Sequence, residues 1–99
     1  MMQQAAKTGA NTVAAGGTAE TVVLGFQPSY VRAVNVNNLA TYEHWSGMTA
    51  GTSIDTANHA DTQISVNEAG SITLTATGFT LGADICDTTS DVVRWVAIR

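Results

Sequence analysis

From Glu20 to Arg99 the apolar residues recur at every second position in short runs, and most runs are closed by Gly, Asn or Pro. That period is the strongest constraint on the fold. A two-residue repeat sends alternate side chains to opposite faces of an extended chain, whereas a helix needs apolar residues three and four apart. Ser71 to Thr77 is the cleanest case: Ile72, Leu74 and Ala76 share one face, and Ser71, Thr73, Thr75 and Thr77 the other. Residue usage agrees, with fifteen Thr, fifteen Ala, ten Val and nine Gly against four Leu and one Lys, the usage of strands rather than helices. Turn signals every 8 to 12 residues or so predict an all-β fold, a small antiparallel β-sandwich of six to seven strands.

The expected strands are Thr21 to Leu24, Tyr30 to Asn37, Thr41 to Ser46, Gln63 to Val66, Ser71 to Thr77 and Asp91 to Arg99. Pro28 fixes the entry to the second, and Asn37-Asn38 turns the chain into the third. Asn67 to Gly70 reads as a tight turn joining the next two strands into a hairpin. Residues 48–60 hold no sustained period and read as a surface loop, as do residues 83–90. Alternation sets Val31, Ala33 and Asn35 opposite Arg32, Val34 and Val36, and it sets Val93, Trp95 and Ala97 opposite Val92, Arg94, Val96 and Ile98. Neither strand has a purely polar face, so both faces are expected to be covered. The expected core is Val31, Ile72, Leu74, Phe79, Val93 and Trp95. Residues 1–18 hold mostly small and polar residues, with Val13 the only sizeable apolar side chain after the methionines. Alone they cannot offset their own ordering entropy, so they read as a flexible N-terminal arm, hinged at Gly16-Gly17, that orders against a partner. Residues 19–99 are the sandwich domain.

Only 12% of the residues are charged, about half the roughly 25% of ordinary domains. A chain packed against other protein needs less charge, so the deficit points to an assembly component. The net charge of −4 and the four scattered cations argue against nucleic acid as a partner. No apolar run approaches the roughly 20 residues of a membrane span, and the N-terminus lacks the apolar stretch of a signal peptide, which implies synthesis in the cytoplasm. Chemistry is sparse. His44 and His59 are far apart in sequence, with Glu43, Asp55 and Asp61 near them, and no His-x-His or Cys-x-x-Cys spacing offers a metal site. Cys86 is alone, and beside Asp84 and Asp87 its thiolate is disfavoured. The loop carboxylates lack the dense ligand spacing of a Ca²⁺ site. No Gly-x-Ser-x-Gly elbow and no phosphate loop occur. The expectation is a protein that is not an enzyme and takes no cofactor and no metal.

Among the aromatics, Trp45 lies in Tyr42-Glu43-His44-Trp45, just before Gly47. It fits an interface anchor, a sugar-stacking ring or an ordinary core residue from the strand's inner face. Val13, Tyr42, Trp45 and Met48 are the candidate interface residues. Gly25-Phe26-Gln27-Pro28-Ser29-Tyr30-Val31-Arg32-Ala33-Val34-Asn35, Tyr42-Glu43-His44-Trp45-Ser46-Gly47-Met48, the Gly70 to Gly82 stretch and Val93-Arg94-Trp95-Val96-Ala97 together resemble small virion proteins of tailed bacteriophages, of the capsid decoration (cement) type. The resemblance spans roughly residues 20–99. It implies a structural protein on the capsid outer surface, a trimer at threefold positions that bridges neighbouring major capsid protein subunits. A tail or head-to-tail component is the alternative on the same resemblance. The Ile-Thr-Leu strand, the Gly-Phe step and the Trp-x-Ala strand are also similar to H-type lectin sandwiches. That likeness implies a glycan-binding module, but its sugar-contacting residues do not carry over, because the loops between the middle strands do not align.

Overall fold

The computed structural model describes residues 6–56 and 64–99. They are all-β, with no helix among them. Eight strands run in chain order: β1 (Ala6–Thr12), β2 (Glu20–Val23), β3 (Tyr30–Asn35), β4 (Ala40–Trp45), β5 (Thr52–Thr56), β6 (Ile64–Thr75), β7 (Gly78–Leu81) and β8 (Val92–Ile98). All pair antiparallel in a single sheet of order β1-β8-β3-β4-β5-β6-β7-β2. The sheet curls into a half-barrel in place of the two separate sheets of a six- or seven-stranded sandwich.

The curl turns on β6. Its first part pairs β5, from Thr56 opposite Ile64 to Ser53 opposite Asn67. The register then jumps, so that Thr52 lies opposite Ile72, and the last part pairs β7. Asn67 to Gly70 is therefore no turn between two strands; it lies within one long strand, at a bulge where the sheet folds over. Gly70 sits there at φ 74 and Gly51 at φ 83, a backbone region that glycine enters without a side-chain penalty. The Ser71 amide donates to the Gly51 carbonyl at 3.0 Å and the Gly51 amide to the Ile72 carbonyl at 2.9 Å. A bulge and a turn use the same glycine chemistry, and only the pairing partners separate them.

Two other segments differ from expectation. Within the stretch read as a loop, Thr52–Thr56 is strand β5. Its inward residues are polar, with Ser53 fully buried, so no apolar alternation marks it. Within the stretch read as an arm, Ala6–Thr12 is β1, paired residue by residue to β8. Small side chains bury little, but the ladder to β8 pairs the backbone groups of alternate residues. Val13, 1% exposed, then anchors the strand's end in the core. His59, Asp61 and Gln63 lie outside the described residues.

The core fills the curl. Phe79, Ile72, Leu81, Ile85, Val31 and Val93 are all fully buried, and Leu74 and Trp95 pack half-buried against them. Phe79 and Trp95 meet edge to face at 5.3 Å across the interior. At the open side of the curl, β1 and β2 are linked by side chains rather than a ladder. Asn11 Nδ2 donates to Glu20 Oε1 at 3.1 Å, and Lys7 Nζ donates to the Leu24 carbonyl at 2.8 Å.

Candidate interaction surface on the outer sheet face

The antiparallel registers place outward side chains in rows across several strands. Ile98, Tyr30 and Trp45 form one row, with Tyr30 opposite both others. In the next, Val96 lies opposite Arg32, Arg32 opposite Glu43, Glu43 opposite Ile54, and Ile54 opposite Val66. Arg94 and Val34 lie opposite one another in the third. Side chains this close in register interact. The face is thus aliphatic and aromatic with two guanidiniums set diagonally in it. Trp45 is 45% exposed, Ile98 41% and Val66 60%. Arg32, Val34, Arg94, Trp95 and Val96 line a shallow depression in it.

Tyr30 is tied down within this face, its hydroxyl donating to Glu43 Oε2 at 2.5 Å. Burial, then that bond and the Glu43 charge, push the phenol up to about 12. Arg32 and Arg94, two of the four cations, have neither a hydrogen bond nor an ion pair among the described residues. Arg99, by contrast, lies over the Phe26 ring at 5.3 Å, and Lys7 is bound at Leu24. Two arginines amid valines, neither fixed by a hydrogen bond or ion pair among the described residues, and an exposed tryptophan give the residue types on which protein interfaces concentrate their binding energy.

Of the four candidate interface residues, Trp45 alone stands well exposed on this face. Val13 is in the core. Tyr42 points inward and is 7% exposed; burial first, then the charges of Asp55, Asp87 and Asp84, push its phenol up to about 12. Met48 is half-buried in the turn after β4, its Sδ accepting from the Trp45 amide at 3.4 Å. Arg32, Val34, Arg94 and Val96 were visible as the second face of two strands. What the sequence could not give was that β8 and β3, far apart in the chain, lie side by side.

The inward polar residues are internally satisfied. His44 Nδ1 donates to the Thr52 carbonyl at 2.6 Å. Ser71 Oγ donates to Ser53 Oγ, which in turn donates to Asp55 Oδ1. Among the described residues, no buried side-chain nitrogen or oxygen lacks a partner, and no three His, Cys, Asp or Glu gather as a metal site. Cys86 is buried, its thiol pushed up to about 11 by desolvation and then by the Glu20 charge. No family model, curated protein or solved structure matches the chain.

Proposed function

We propose that the chain is a structural component of a bacteriophage virion, a decoration protein that lies on the capsid and bridges neighbouring major capsid subunits through its outer sheet face. The observation that carries the reading is that face: several strands wide, largely apolar, and holding two arginines that make no hydrogen bond or ion pair among the described residues. The low charge of the chain supports it, since a subunit packed against protein needs little charge for solubility. A shell repeats each contact many times, so a modest patch suffices once the copies act together.

The test is binding to purified capsid shells of the phage that encodes the chain. Wild type should saturate the shells. Val96→Asp, which puts a carboxylate in the middle of the face, should cut occupancy at least tenfold while leaving the β-sheet circular dichroism intact. Equal occupancy of wild type and variant would remove the reading.

The second reading, a glycan-binding module, draws on the exposure of Trp45 beside Tyr30 and Glu43. A flat ring next to hydrogen-bonding groups suits stacking on a sugar. A glycan array separates the two, because a specific signal lost in Trp45→Ala belongs to a lectin and not to a decoration protein.

A further inference from the structure

We propose that the edge of β1 that no described strand pairs is a self-pairing surface, through which two copies of the chain join antiparallel about a two-fold axis at Gly9. The proposal goes beyond the virion reading and does not depend on it.

An edge strand exposes a row of unpaired N–H and C=O groups, and proteins ordinarily guard such edges with proline, a bulge, an outward charge or extreme shortness. β1 has none of these. It is seven residues long, its register with β8 is unbroken from Ala6 to Thr12, and it contains no proline. Lys7 is its only charged residue, and the ammonium turns inward to the Leu24 carbonyl. The opposite edge, β2, has only four residues and carries Glu20.

The direction of the free groups follows from the bonds at the strand's end. The Val13 amide donates to the Asp91 carbonyl at 2.8 Å, and the Val13 carbonyl accepts from the Ser90 amide at 2.8 Å. Backbone groups alternate along a strand. Lys7, Gly9 and Asn11 therefore bond to β8, and Ala6, Thr8, Ala10 and Thr12 aim their N–H and C=O at the open edge. The other side of β8 agrees, since its Val92 and Ile98 carbonyls bond to Val36 and Ser29 beside β3.

With the axis at Gly9, the open groups meet one another. Thr8 of one copy faces Ala10 of the other, and Ala6 faces Thr12, each pair exchanging two N–H···O=C bonds. Lys7 faces Asn11, so no like charges oppose. Gly9 faces Gly9 at the closest pair, where two glycines bring no side chains to collide. Position 9 is also closed to any larger residue from below, because a Cβ there would lie 2.4 Å from Trp95 Cζ2. The outcome is one continuous sheet whose outer faces, with Arg32 and Arg94 in each half, join into a single surface.

Sedimentation and light scattering across a concentration series should give twice the 10.3 kDa chain mass. In the same samples, hydrogen exchange at the Thr8 and Ala10 amides should slow as the mass doubles, while Gly9 and Asn11 stay protected throughout. Ala10→Pro removes only an edge-facing N–H and should return the mass to one chain with circular dichroism unchanged; Thr8→Pro is the second variant if the first misfolds. A single-chain mass up to the solubility limit, or a three-chain mass, would overturn the pairing. So would a two-chain mass with Thr8 and Ala10 still exchanging freely, or one that survives Ala10→Pro. Shell binding by a monomer would leave the virion reading standing while this one fell.

Discussion

Asn35, fully buried at the end of β3, has every polar valence of its amide filled. Its Nδ2 donates to the Ile85 carbonyl and to Asp91 Oδ2, each at 3.0 Å, and its Oδ1 accepts from the Asn37 and Asn38 amides. One side chain thus ties the β3–β4 turn to the loop before β8. Removing it orphans buried groups as well as bonds, so Asn35→Ala should cost about 3 kcal/mol, read as a lower urea midpoint with unchanged slope. The two tyrosines make a second residue-scale prediction. Both phenols are pushed from 10 to about 12, chiefly by burial, so the fold favours their neutral form. Their contribution to stability is complete below about pH 10 and is lost as pH rises from there towards about 12. Ultraviolet titration should show both phenolates forming well above pH 10 in the folded chain, and near pH 10 in urea. In the sequence Asn35 is simply an inward position in an alternating strand, and nothing local reveals that it meets Asp91.

At the scale of elements, β6 decides the shape. Its bulge lets one strand pair β5 with its first part and β7 with its last, which carries the sheet round the core. Gly70 is the glycine at that bulge: at φ 74, an added Cβ would be strained and would also lie 3.0 Å from the Asp84 carboxyl carbon. Gly70→Ala should cost about 1–2 kcal/mol, measured by thermal unfolding, with the loss shared by β5 and β7 in hydrogen exchange. Elements with apolar alternation, β3, β8 and the second half of β6, were legible in the sequence. β5 was hidden by its buried Ser53, whose partner Ser71 lies across the bulge, and β1 by side chains too small to show a period. For both, only the neighbouring strand makes the segment a strand.

For the whole molecule, the two edge strands come from the N-terminal quarter of the chain, while their partners, β7 and β8, come from its last quarter. The sheet is therefore completed by pairings across nearly the full length, which the chain reaches only after paying loop-closure entropy. Deleting residues 1–12 should leave a folded sheet but bare the β8 edge and Trp95, which meets Phe79 edge to face and donates to Asn11 Oδ1 at 3.1 Å. The expected result is a melting temperature lower by several degrees with the β-type circular dichroism retained, whereas complete unfolding would show that β1 is indispensable. The sequence alone determined the all-β class, the core from Val31 through Phe79 to Val93, and the shortage of charge, because period, side-chain size and charge are properties of single residues and their near neighbours. Only the tertiary structure decided that the strands form one curled sheet, that Val13 and Tyr42 turn inward while Trp45 turns out, and that Arg32 and Arg94 share a face. Those outcomes depend on which strands pair and in what register, and pairing is settled by contacts between residues far apart in the chain.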